Sequence, residues 1–236
     1  MYKLTKVSTV KARTQAINQL KAVLVTADPV LREELAGLGN AELFRTCALF
    51  IRVSSREDAG AESVVQAPRI TLGLPAHRIG QLSKEIRDVE ARLARLVERH
   101  APQLLDVVGI GPDTAVTLLM TVGDNPERLD SEASFAALCG VSPIERSSGR
   151  QQFRRLNRGS DRQANAALHR IVFTRLRVDP RTQDCYERRV REGKTRREVV
   201  RCLKRYAARE VFHMVRWLQP GPRSWGRPWQ MRGSGG

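Results

Sequence analysis

Six apolar residues between Ile79 and Leu96 follow a strict 3-4-3-4-3 spacing, and this stripe constrains the fold more than any other feature of the chain. Ile79, Leu82, Ile86, Val89, Leu93 and Leu96 occupy a- and d-type positions over nearly three heptads. Charged residues, among them Lys84, Glu85, Arg87, Glu90 and Arg92, fill the positions between. Such a stripe needs a second apolar helix face to cover it. That face comes either from another segment of the same chain, in a helical hairpin, or from a second copy.

The segments around the stripe are also helical in pattern. In "TVKARTQAINQLKAVLVTADPV", Val10, Ile17, Leu20 and Leu24 share a face, and Asp28-Pro29 stops the helix. "PVLREELAGLGNAELFRTCALFIRV" reads as two shorter helices broken near Gly37 and Gly39. The expected organisation is a helical segment over 1–53, a loop or connector over 54–70 and a coiled-coil-like helix over 71–100. A helical domain over 101–215 and a disordered Pro/Gly-rich tail over 216–236 complete it. The fold class is mainly α, long N-terminal helices followed by a helical domain.

Charge is distributed unevenly. The formal net charge is +16. Residues 1–100 carry 16 Lys/Arg against 11 Asp/Glu, residues 101–144 carry 1 against 6, and residues 145–236 carry 24 against 8. Segregated positive charge of this kind suits a phosphate-bearing polymer, nucleic acid before a membrane surface. Cys47, Cys139, Cys185 and Cys202 form no CxxC pair, and the four histidines form no HExxH or HxH pattern. No metal site or disulfide framework is expected, and a reducing cytoplasm is. Neither a signal peptide nor an apolar run of membrane length is present in the sequence, so the expected setting is cytoplasmic and nucleoid-associated.

"VVGIGPDTA" carries the pattern hydrophobic-Gly-hydrophobic-Gly-x-x-x-Ala of a helix-hairpin-helix. Gly109 and Gly111 permit a tight turn that leaves backbone N–H groups at a helix N-terminus, where a phosphate can bind. Pro112 suits the first helical position and Ala115 suits close helix packing. The plainer alternative is a tight turn between two core helices. A short helix follows in "DSEASFAALCG", with Asp130 or Ser131 as N-cap and Gly140 past its end.

"SPIERSSGRQQFRR" places Ser147 and Ser148 among Arg146, Arg150, Arg154 and Arg155. A serine hydroxyl needs a base, a metal or positive charge to attack a phosphodiester, and arginines can hold the phosphate oxygens but accept no proton. The plainer alternative, which the residues by themselves favour, is that Ser147 and Ser148 only make turn hydrogen bonds. "RQQFRRL" is a short strand or an extended loop. "NRGSDRQANAALHRIVFTRLRVDP" starts a strong helix, with Ser160 and Gln163 as a capping box and Asp179-Pro180 as its stop. In "TRREVVRCLKRYAAREVFHMVRWL" the expected core is Val199, Val200, Leu203, Tyr206, Ala207, Val211 and Met214. Arg196, Arg197, Arg201, Lys204, Arg205 and Arg209 form the expected basic side.

The stretches "VVGIGPDTAVTLLMTVGDNPERLDSEASFAALCGVSPIERSSGR", "RLNRGSDRQANAALHRIVFTRLRVDPRT" and "GKTRREVVRCLKRYAAREVF" resemble, in order and spacing, the C-terminal domain of the IS110 family of insertion-sequence transposases. "STVKARTQAINQLKAVLVTA" resembles the helix that follows the RuvC-like domain of that family. The resemblance implies a transposase acting in DNA recombination as a homo-oligomer, here through the helical 79–96 region, with a structured guide RNA. It implies a nucleophilic serine at Ser148 or Ser147. Arg146, Arg150, Arg154, Arg155, Asn157, Arg158, Arg162, Arg197, Arg201 and Arg205 become candidates for DNA or RNA contact. No match to the RuvC-like domain and its carboxylates is found, so the expectation is an N-terminally truncated chain without its own Mg2+ site. A non-catalytic nucleic-acid-binding remnant, or a subunit that interferes with assembly, is the alternative.

Overall fold

The structure is a computed structural model that describes residues 1–54, 66–123, 131–148, 151–156 and 159–218. The protein is mainly α-helical. In chain order it comprises α1 (Tyr2–Thr26), α2 (Pro29–Ala36), α3 (Asn40–Ser54), α4 (Gln66–His100), a 3-10 turn (Pro102–Leu104), α5 (Pro112–Val122) and α6 (Glu132–Leu138). β1 (Pro143–Ser148), β2 (Gln151–Leu156), α7 (Arg162–Val178), α8 (Pro180–Arg191) and α9 (Arg196–Leu218) follow. These elements form two compact units that divide between Arg95 and Leu96.

The first unit is built on α1 to α4. Its core joins Ala16 and Leu20 of α1, Leu31 and Leu35 of α2, Leu43 and Cys47 of α3, and Leu72, Ala76 and Ile79 of α4. α1 and α4 run antiparallel. The Lys6 ammonium lies 2.8 Å from Glu90, the Arg92 guanidinium sits 5.9 Å from the Tyr2 ring centroid, and Gln19 and Val23 face Thr71 and Leu74 across a shallow cleft. α1 turns slightly from the expected face, burying Thr9, Ala16 and Leu20 while Val10, Ile17 and Leu24 are half-buried. On α4 the seam runs at Leu72, Ile79, Ile86 and Leu93, all buried. Covering of the stripe within the chain, one of the two alternatives, therefore accounts for Ile79, Ile86 and Leu93. Leu96 is 40% exposed, and the neighbouring Val97 is buried in the core of the second unit. α4 starts at Gln66, ahead of the expected residue 71, and runs through Gly73 and Pro75. Burial of Leu72 and Ala76 outweighs their low helix propensity. Residues 55–65 of the expected connector lie outside the described residues.

The second unit has one core, drawn from α5, α6, α7 and α9. Leu118, Phe135, Leu168, Ile171, Val172, Val199 and Val211 are almost completely buried in it, each contributing on the order of 1.5–3 kcal/mol. Three sequence expectations change here, and the expected stop of α7 at Asp179-Pro180 is met. Asp161, not Ser160, caps α7, accepting from Gln163 N at 2.7 Å and Ala164 N at 3.2 Å, because α7 starts at Arg162 and the residue just before it reaches the free N–H groups. Lys204 is buried, at 7% exposure, rather than on the basic side of α9, since its position falls on the seam with Val200, Ala207 and Val211. Tyr206 is 48% exposed instead of core. The segment after Asp179 starts another helix, α8, with Pro180 at its first position, where a missing N–H leaves no bond unmade. Residues 219–236 of the expected tail lie outside the described residues.

Candidate nucleic-acid interface

β1 and β2 form an antiparallel hairpin in which Ser148 pairs with Gln151, Ser147 with Gln152, Arg146 with Phe153, Glu145 with Arg154 and Ile144 with Arg155. Ser147, Ser148, Arg146, Arg154 and Arg155 thus belong to one element, with both serines at the end where β1 stops. Arg150, Asn157 and Arg158 lie outside the described residues.

The two feet of this hairpin are clamped. At the first, Gly140 adopts φ +67°, and Val141 N and Ser142 N both bond the Ala136 carbonyl. At the second, Asp161 N bonds the Leu138 carbonyl at 3.0 Å, and the Thr121 hydroxyl donates to the Asp161 carboxylate at 2.9 Å. Gly140 and Ser160 approach so closely that a Cβ on Gly140 would lie 2.1 Å from the Ser160 hydroxyl oxygen. The Asn165 amide ties the feet to the core. It donates to the Cys139 and Gly140 carbonyls at 2.9 and 3.0 Å, and its own carbonyl accepts from the Lys204 ammonium at 2.9 Å. Burial, with Arg201 nearby, holds the Lys204 pKa below its ordinary value. The Cys139 thiol is pushed up to about 12 by burial and by the Asp161 charge, so it is a packing residue and not a nucleophile. Asn165 and Lys204 escaped the sequence reading because an Asn within a helix and a Lys in a basic run carry no signal of a buried pair.

A second group lies along α7. Gly109 adopts φ +89° with the Ile171 carbonyl oxygen 2.9 Å from where a Cβ would sit, so only glycine lets this turn close on α7. Gly111 caps α5 in ordinary backbone geometry, and a Cβ there would meet nothing within 4 Å. Between this turn and α7 runs an open cleft of about 650 Å³, with Gly109, Gly111 and Thr114 on one side and Arg170, Phe173 and Arg177 on the other. Arg170 reaches the Asp113 carboxylate at 3.2 Å, and the Arg175 Nε donates to the Val108 carbonyl at 2.8 Å. Arg170, Thr174 and Arg177 recur on one exposed face. That 4-3 recurrence was the signal available in the sequence. Ile171, on which the Gly109 turn closes, is ten residues from Asp161, about 15 Å along the helix, so cleft and hairpin feet are separate positions on α7. Arg162 stands exposed at the start of that helix.

The third group is the basic ladder of α9. Arg197, Arg201 and Arg205 are exposed and recur every four residues, about 6 Å apart along the axis. Arg209 continues this row as an exposed side chain and also meets the Glu132 carboxylate at 2.6 Å, which His213 reaches at 2.9 Å. Among the described residues, no three His, Cys, Asp or Glu side chains gather in a way that could hold a metal ion. Nor is any described helix long and apolar enough to cross a membrane.

Residues 101–187, which include the cleft, the hairpin and α7, match the model of the Transposase IS116/IS110/IS902 family. An uncharacterized 43.6 kDa protein of insertion element IS110 from Streptomyces coelicolor is 31% identical over 144 residues, covering 60% of this chain and 35% of that protein. An uncharacterized 42 kDa protein of insertion element IS900 from Mycobacterium paratuberculosis is 27% identical over 144 residues, covering 60% of this chain and 36% of that protein. The matched stretch spans about a third of the length of these relatives.

Proposed function

We propose that residues 101–187, a transposase domain of the insertion-element type by its family match, act in DNA transposition with Ser148 or Ser147 as the nucleophile. The carrying observation is the hairpin bearing both serines, whose feet are fixed by Gly140, Asp161 and the Asn165–Lys204 pair. A nucleophile must be held within a fraction of an ångström of its target, and clamping both feet of a short hairpin serves that need. In the proposed step the serine Oγ forms a bond to phosphorus as one P–O bond to the DNA sugar breaks. The departing sugar oxygen ends with the proton that serine gives up to solvent. The phosphoserine ester keeps the bond energy for rejoining. Arg146, Arg154 and Arg155 share the hairpin and supply phosphate-binding groups by composition.

The resemblance implies magnesium held by carboxylates of the RuvC-like domain, and the described residues gather no such donor set. DNA, a structured guide RNA and further copies of the chain are the proposed partners. The last two rest on the resemblance alone. A second reading, a nucleic-acid binder without strand transfer, is favoured by the α9 ladder and the α7 cleft, which need no nucleophile to hold a phosphate backbone.

Covalent capture tests the choice. The protein is incubated with DNA carrying the element's ends, the transcript flanking its gene and magnesium, with and without a full-length relative, and resolved on a denaturing gel. Strand transfer predicts a protein–DNA adduct that either Ser148→Ala or Ser147→Ala abolishes. An adduct surviving the double variant overturns the serine assignment. Salt-sensitive binding with no adduct under any condition selects the second reading.

A further inference from the structure

Beside the α7 cleft lies an aromatic surface that no phosphate needs. The rings of His169 and Phe173 stack at 4.3 Å between centroids with 27° between their planes, and the Arg196 guanidinium sits 5.9 Å from the Phe173 centroid. His169 is exposed, and Phe173 is half-buried and forms part of the cleft wall. Burial of the ring and the nearby Lys204 charge lower the His169 pKa from its ordinary value.

We propose that this stack is a platform for an unpaired nucleobase, with the flanking phosphates held by Arg170 and Arg177. Three observations converge on that ligand class. A second aromatic ring on Phe173 extends the π-surface outward into solvent, where it closes no core. Arg177, four residues after Phe173, shares its helix face, and the exposed Arg170, whose guanidinium also meets Asp113, lines the same cleft wall. Opposite them, the open space at Gly111 leaves room for a nucleotide backbone to approach. A base inside a duplex has both faces covered by its neighbours, so only a single-stranded or extruded base can use the platform. This inference rests on the nucleic-acid-binding reading above and adds a preference for unpaired strands to it.

The test compares binding of one fluorescent oligonucleotide sequence in three forms: single-stranded DNA, single-stranded RNA and duplex DNA, each with 2-aminopurine at one position. His169→Ala, at an exposed position, is expected to weaken single-strand binding roughly tenfold and to remove the stacking change in 2-aminopurine fluorescence. Duplex affinity should stay within about twofold of the unmodified protein. His169→Phe should restore the single-strand affinity, and Phe173→Leu, which keeps the core filled, should reproduce the loss. The form bound more tightly, DNA or RNA, identifies the strand that fills the platform. Equal losses for single strand and duplex, or no loss for either, overturn the platform while leaving nucleic-acid binding intact. Absence of salt-sensitive binding by the unmodified protein to any form overturns both.

Discussion

The units Met1–Arg95 and Leu96–Gly236 are both helical, but they place their polar residues differently. In the first, the ion pairs Lys6–Glu90 and Arg69–Glu34 have carboxylates about half exposed to solvent, contacts of the kind that contribute little to stability. The core there joins apolar seams, with Lys3 and Thr9 of α1 as its buried polar members. In the second, Lys204, Asn165, Thr121 and Asp161 carry polar chemistry into the packed region, each with a partner, and the network ends at the feet of the serine hairpin. A buried lysine held by an amide does not maximise stability. It fixes position. The same half of the chain carries the 24 basic residues of 145–236 against 8 acidic ones. The difference separates a unit built to pack from a unit built to hold a loop and a charged face still.

Cavities in the two cores give the largest effect. Leu20→Ala and Leu168→Ala each remove a fully buried side chain and are expected to cost about 2–5 kcal/mol. Buried Cys47 and Cys139 report on one core each, while exposed Cys202 reacts in every case. Thiol-labelling rates should rise more at Cys47 in Leu20→Ala and more at Cys139 in Leu168→Ala. Equal acceleration of both thiols in both variants would break the division into two cores.

The glycines of the second unit come next. Gly140→Ala and Gly109→Ala force a side chain into positive-φ backbone against a close neighbour, and each should lower stability by about 3 kcal/mol in denaturant titration. Gly111→Ala, with open space and ordinary geometry, should stay within about 1 kcal/mol. Equal losses at all three would contradict the assigned approaches to Ile171 and Ser160.

A smaller effect depends on pH. The folded Cys139 thiol titrates at about 12 against an ordinary 9.0, so the unfolded state loses its proton first as pH rises. Its stabilising contribution is complete below pH 9 and is lost as pH climbs toward 12, at up to about 1.4 kcal/mol per pH unit. Burial pushes Cys47 the same way, so both units should weaken in alkali. Cys139→Ala should flatten the decline between pH 8 and 10 in the second unit. An unchanged slope would mean the thiol is less enclosed than the structure places it.

Much of this was legible in the sequence, and the misses share one cause. The α4 seam, the stops at Asp28-Pro29 and Asp179-Pro180, and the positive-φ turn at Gly109 follow from periodicity and backbone chemistry, which are local. Lys204, Tyr206 and Ser160 were assigned by residue type, whereas angle on the helix and the neighbours decide burial and capping. Lys204 is buried because its place on α9 meets Asn165, thirty-nine residues away. β1 was missed because "PIERSS" has no apolar alternation. It pairs through its backbone with β2, a partner that no window on β1 alone contains.

The most direct test of the contrast between the units is the salt dependence of DNA binding. Apparent affinity is measured for one duplex across a range of salt concentrations in three proteins. These are the unmodified chain, the α9 variant Arg197→Ala/Arg201→Ala/Arg205→Ala, and the α4 variant Lys84→Ala/Arg87→Ala/Arg95→Ala. Each lost phosphate contact lowers the slope of log affinity on log salt by about 0.9. The α9 variant should lose roughly 2–3 from that slope, and the α4 variant, which removes the same formal charge, should keep it. A slope unmoved by the α9 changes, or lowered equally by the α4 changes, would contradict a nucleic-acid face confined to the second unit.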